Sequence, residues 1–188
     1  MEHAIKHSTI QRGVVADLDS QFERVLLKER SRAFGIAWRL VGGNRALAED
    51  VLQEAMLKAF QNLSSLKDET RLVPWFFKIV VREAHSQTRR KGIRNRVMGM
   101  LRLAQPEVHD QVQSDPGLSK RIADAMGELS EGQREAFVLV HLSGFQLREA
   151  AEVLGKAEGT IKTQVHRATK SLQKKLQTVS MKRLISFK

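Results

Sequence analysis

Apolar residues along the chain recur at helical spacing from end to end. Over residues 18–41, Phe22, Val25, Leu26, Ala33, Ile36, Ala37 and Leu40 fall on one side of a helix. Val41-Gly42-Gly43-Asn44 then supplies a stop and a cap for the next helix. Over residues 45–63, Val51, Ala55, Ala59 and Leu63 form a stripe flanked by Leu52, Met56 and Phe60. Residues 64–72 are polar and turn-like. Pro74 suits a first helical turn, where its missing N–H is no loss, and this predicts a helix from 74 to about 91. Residues 92–117 carry Gly92, Gly99, Pro106, Pro116 and Gly117 around the polar run QPEVHDQVQSDPG and read as a linker, with helix able to persist to about 103. Four further helices are predicted over 118–128, 131–142, 146–154 and 158–177. Ser130 and Gln133 make a capping box for the second of these. No alternating strand pattern appears. The expected fold is all-α: a helical bundle over 18–96 and a four-helix domain over 118–177, joined by a flexible linker over 97–117, with tails at 1–17 and 178–188.

Charge adds a partner to this picture. The net charge is +11 over 188 residues. Residues 82–102 hold seven Arg or Lys against Glu83 alone, and residues 156–188 hold nine against Glu158 alone. The two basic segments therefore carry +6 and +8, leaving −3 for the rest of the chain. Two separated basic segments on a mildly acidic body point to two contacts with a polyanion; each alone would pass for a solvated helix face. The chain has no cysteine, which excludes disulfides, thiol nucleophiles and cysteine–zinc sites. No run of residues approaches a membrane span, and the first residues lack an apolar core of signal-peptide length, so a cytoplasmic protein without membrane insertion is expected. There is no nucleophile elbow, no phosphate-binding glycine loop and no metal triad, and neither an enzyme nor a cofactor is expected. Met1-Glu2-His3, with His7 one turn on, has the composition of a terminal copper or nickel site but reads as an ordinary chain terminus.

The sharpest local pattern is FQLREAAEVLGKAEGTIKTQVHRATKSL. Ala151 is small enough to let two helices cross closely, Gly155 permits the positive φ of a tight turn, and Ile161 plugs the second helix into the core. That spacing is a helix-turn-helix, whose second helix enters a DNA major groove. Its outward residues are Thr160, Lys162, Thr163, Gln164, His166, Arg167 and Lys170, with Arg148 beside them on the first helix. Lys and Arg suit phosphates or guanine edges, Gln suits adenine, and Thr suits a thymine methyl. Ala157 caps the second helix about 1 kcal/mol less well than Ser would, and Glu158 in the first turn partly compensates.

At this point a family resemblance emerges. Leu129–Leu139 and Gly159–Ala168 resemble the C-terminal DNA-reading domain of sigma factors. AEDVLQEAMLKAF (48–60) resembles their polymerase-binding helix, and Pro74–Arg82 their promoter-melting segment. In order and spacing the chain resembles the extracytoplasmic-function class of the sigma-70 family. The resemblance implies an alternative sigma factor that binds core RNA polymerase, reads the −35 element as duplex and captures a melted −10 base. Asp50, Gln53 and Glu54 would dock on polymerase. Lys58, Asn62, Leu66, Ile79 and Arg82 would form the pocket for the flipped base, with Ser64–Val73 as its lip and Trp75 as a stacking surface. Arg89, Arg90 and Lys91 would follow the backbone. An anti-sigma factor is an expected partner. The alternative is a two-domain helix-turn-helix regulator that binds duplex without polymerase.

Overall fold

The computed structural model describes the backbone of residues 22–100 and 116–185 and the side chains of 22–90 and 121–176. Met1, Glu2, His3 and His7, and the run 101–115 within the expected linker, lie outside the described residues. Every regular element among the described residues is helical.

The first half comprises α1 (22–40), α2 (Arg45–Gln61) and α3 (Leu72–Met100). Gly42 and Gly43 take φ of 78° and 83°, which ends α1 in two residues. The Asn44 side chain then accepts from the Leu47 N–H at 2.9 Å and starts α2, as the sequence predicts. Phe22, Ile36, Val51, Phe76, Phe77 and Val80 are fully buried between these helices. Phe76 is thus core. Two short 3₁₀ turns, Leu63–Ser65 and Glu69–Arg71, join α2 to α3.

The second half comprises α4 (Pro116–Gly127), α5 (Glu131–Phe137), α6 (Leu147–Leu154) and α7 (Glu158–Ile185). Ser130 and Gln133 form the expected capping box on α5. A π turn, Val138–Leu142, carries the chain out of α5. Arg134 donates to the carbonyls of Met126, Gly127 and Leu129 at 2.9, 2.9 and 3.1 Å, satisfying the open end of α4. α3 takes the longer course that the sequence allows, short of 103, and α4 starts two residues before the expected 118. α3 continues through Gly92 and Gly99 to Met100, and α4 opens on Pro116 itself, so both ends of the expected linker are helical.

The sequence reading joins the two halves only through the linker. They in fact share one continuous apolar cluster, with α3 lying along α6. Phe145, in the loop before α6, meets Phe77 of α3 edge-to-face at 5.0 Å between ring centroids. The Arg32 guanidinium of α1 sits 3.7 Å above the Phe145 ring. Its Nε donates to the Ser143 carbonyl at 2.9 Å. Arg71 reaches Glu152 at one end of the contact, and His85 reaches Glu131 and Glu135 at the other.

Candidate nucleic-acid interface

The α6–α7 corner is built from backbone geometry. Gly155 stands at φ 62°, ψ 37°, the left-handed cap of α6. Its neighbour Lys156 donates its backbone N–H to the Ala151 carbonyl at 3.0 Å. A second capping box, Gln146 with Glu149, starts α6 and was not anticipated from sequence. Ile161, Ala168 and Leu172 are buried, which fixes the rotation of α7. Ala157 precedes α7 without a side-chain cap, and its carbonyl accepts from Thr160 and Ile161.

With that rotation, Thr160, Lys162, Thr163, His166, Arg167 and Lys170 are all exposed on α7, and Arg148 is exposed on α6. Gln164 is half-buried, close to Gly132 of α5. The Thr163 hydroxyl donates to the Gly159 carbonyl at 2.9 Å. Its donor is therefore committed within the helix, and what it offers outward is its methyl group and lone pairs.

The second group lies on α2, the turns and α3. Trp75, Ile79 and Arg82 are spaced i, i+4, i+7 along α3 and share a face. Trp75 and Ile79 are half-buried against the core, and Arg82 is exposed. Leu66 is half-buried against the same core cluster. Asn62 ends α2, its amide donating to the Lys58 carbonyl at 2.7 Å while its own carbonyl accepts from Ser65 Oγ at 2.6 Å. Asp68 accepts from both the Thr70 hydroxyl (2.6 Å) and the Thr70 backbone N–H (3.0 Å), which hold its carboxyl below the usual range and fix the loop. Lys58 is not a free cation. Its ammonium lies 2.8 Å from Glu83 of α3 and 3.2 Å from Glu54, and Glu83 in particular raises its proton affinity above the ordinary value. Arg89 and Arg90 are exposed further along α3; the side chain of Lys91 lies outside the described residues.

Asp50 and Gln53 are exposed on α2, with Glu54 partly exposed and tied to Lys58. Leu57, 52% exposed, continues the same i, i+3, i+4, i+7 row. The sequence reading missed it because only three-dimensional packing tells an outward Leu from a core one. It missed Glu83, His85, Glu131, Glu135 and Lys156 for a related reason: their partners are far away in sequence.

No helix among the described residues is long and apolar enough to cross a membrane. Residues 26–93 match the model of sigma-70 region 2 and residues 119–172 that of sigma-70 region 4. The chain is 33% identical over 153 residues to the ECF RNA polymerase sigma factor EcfG of Rhodopseudomonas palustris (strain TIE-1), covering 75% of this chain and 76% of that protein. It is 30% identical over 153 residues to the ECF RNA polymerase sigma factor SigL of Mycobacterium tuberculosis (strain ATCC 25618 / H37Rv), covering 79% and 86%. Among solved structures it is similar to the sigma factor RpoE in complex with the anti-sigma factor NepR from Bartonella quintana, with a TM-score of 0.68 and 30% identity over 84% of this chain and 97% of that one. CnrH in complex with the cytosolic domain of CnrY has the same fold, at a TM-score of 0.64 and 21% identity over 85% and 90%. Two region matches in order, relatives aligned across both, and a helix-turn-helix presenting a basic face place this chain in the extracytoplasmic-function class of the sigma-70 family, the alternative sigma factors that direct transcription initiation.

Proposed function

We propose that the two halves, 18–96 and 118–177, act as separate promoter-binding modules once polymerase is bound, with 97–117 connecting them. The observation that carries this is the exposed row Thr160, Lys162, Thr163, His166, Arg167 and Lys170 on a helix whose rotation is locked by Ile161 and Ala168. This row, with Arg148 and the half-buried Gln164, reads the −35 element in the major groove. Asn62, Leu66, Trp75, Ile79 and Arg82, under the Ser64–Val73 loop, receive the −10 base after it leaves the stack, and Arg89, Arg90 and Lys91 track the backbone. Lys58 orients Glu54 and Glu83 and takes part in the pocket only if that pairing is released. Asp50, Gln53 and Glu54, with Leu57, form the polymerase-docking row. The protein performs no bond chemistry of its own: it positions polymerase and traps an opened base, offsetting an unstacking cost of a few kcal/mol.

The closed packing bears directly on this. Elements at −35 and −10 are about 25 base pairs apart, or about 85 Å along B-form DNA. A compact chain of this length has a radius of gyration of about 16 Å. A molecule with α3 against α6 cannot touch both, so the halves separate before promoter binding. The relative RpoE is solved with an anti-sigma factor, which supports an anti-sigma partner for this chain.

The test is a permanganate footprint on a cognate promoter with this protein alone, core polymerase alone, and both together. Reactive thymines appear only with both, and changes at Arg82 diminish them. Tight sequence-specific binding by the free protein, with no opening when core is added, would instead establish a duplex-binding regulator.

A further inference from the structure

The face between the halves contains one group of ionisable side chains that the promoter-binding scheme leaves unused. His85 stands on α3. Its Nδ1 lies 3.2 Å from Glu131 Oε1, and its Nε2 is in direct contact with Glu135 Oε1. Both carboxylates belong to the first turns of α5, in the other half. Glu135 is buried, with 3% of its surface exposed. Its second oxygen lies 3.4 Å from the Lys156 ammonium, which comes from the turn between α6 and α7. These three groups, Glu131, Glu135 and Lys156, are the charged neighbours that face His85 from the opposite half.

A neutral imidazole has one N–H and one lone pair. An imidazole set between two carboxylates, one at each nitrogen, meets both only as the doubly protonated cation; in the neutral ring one carboxylate faces a lone pair. Burial adds to this, because Glu135 is withdrawn from water and Lys156 is its one other cationic neighbour among the described residues. We propose that His85, Glu131 and Glu135 form a proton-operated clasp between the two halves, closed when His85 is charged and released when it is neutral. The clasp rests on the functional reading above, in which the halves must part before both promoter elements are engaged.

The direction of the response is fixed by linkage. In the closed form Glu135 first, then Glu131, raise the proton affinity of His85 above its ordinary value of 6.5, against opposing effects of burial and Lys156. The clasp therefore contributes fully below the ordinary value and is lost as the pH climbs through the raised one. Across that window the closed-to-open ratio falls by the factor by which closure increases the proton affinity of His85.

The full chain has no cysteine, so a donor–acceptor pair can be placed at exposed Ala46→Cys on α2 and Gln173→Cys on α7. Energy transfer between them reports closure. The parent protein is expected to lose transfer as the pH rises from 6 to 9. His85→Gln, checked for helicity by circular dichroism, should show low transfer at every pH. His85→Arg, a permanent cation with several donors, should show high transfer at every pH. A parent signal flat across the range overturns the clasp, as does an unchanged pH response in His85→Gln. So does closure that follows added zinc or a chelator in place of pH, which would assign the three side chains to a metal ion. Promoter-dependent transcription with core polymerase is scored separately on the same samples. Transcription with a flat transfer signal overturns the clasp alone; pH-dependent transfer without transcription overturns the proposed promoter-binding scheme and leaves the clasp standing.

Discussion

At the scale of single residues, Gly155 carries the helix-turn-helix. It stands at φ 62°, and a Cβ added there would meet no atom within 4 Å. The penalty of substitution is thus backbone strain alone. Gly155→Ala should destabilise the protein by about 1–2 kcal/mol. Gly155→Asn should cost less, since Asn tolerates the left-handed region. Urea unfolding of the pair measures both; equal stability in all three proteins would show that the turn relaxes without a left-handed residue. This position was readable from sequence because its requirement is local: a glycine four residues after a small residue and six before an apolar one. The Asn44 cap and the Ser130–Gln133 box were readable for the same reason. His85 was not. Its carboxylate partners lie 46 and 50 positions away, and nothing in the residues around it marks it out from any other helical histidine.

At the scale of the element, the proposed function gives α7 both positioning and reading residues. Arg167 is exposed, as suits a phosphate contact. Arg167→Ala should weaken binding of polymerase holoenzyme to all promoters alike and lower the salt slope by about one. Thr163 is different. Its hydroxyl is already given to the Gly159 carbonyl, so base reading through this residue falls to its methyl. Thr163→Val should therefore keep the −35 preference, while Thr163→Ser, which keeps the hydroxyl and loses the methyl, should relax it at one position by about 1–3 kcal/mol. The opposite ranking, measured by promoter competition, would mean that the hydroxyl turns outward on binding. The stripe on α7 was legible because buried Ile161, Ala168 and Leu172 recur at helical spacing. The ends of α3 and α4 were less so. Gly92 and Gly99 look like breakers, yet each costs a helix only about 1 kcal/mol, and a long basic helix absorbs that. Pro116 reads as a linker residue until it is seen to occupy a first helical turn, where it fits.

At the scale of the whole molecule, the contact between halves was illegible because it joins α1 and α3 to the loop before α6 through residues that each pass as ordinary core. Phe145 is 4% exposed, and Phe77 is fully buried. Only their meeting at 5.0 Å, with the Arg32 guanidinium against both rings, shows that the core of one half continues into the other. On the proposed function, closure and polymerase binding are competing equilibria. If polymerase takes only the open form, the apparent affinity is lowered by the fraction of molecules that are open. Arg32→Ala with Phe145→Ala removes the cation, the ring and the edge-to-face pair together. The double variant should expand in small-angle scattering and unfold in two thermal steps where the parent unfolds in one. It should also bind core polymerase more tightly than the parent, by up to the factor by which the parent favours closure. Phe145 also packs within its own half, so some loss of stability there is expected, about 3–5 kcal/mol for full truncation of a buried ring. The affinity measurement separates the two effects. Damage to the fold alone can only weaken polymerase binding. Release of the closed form strengthens it, and no gain in affinity from a variant that has expanded would mean that closure does not compete with polymerase.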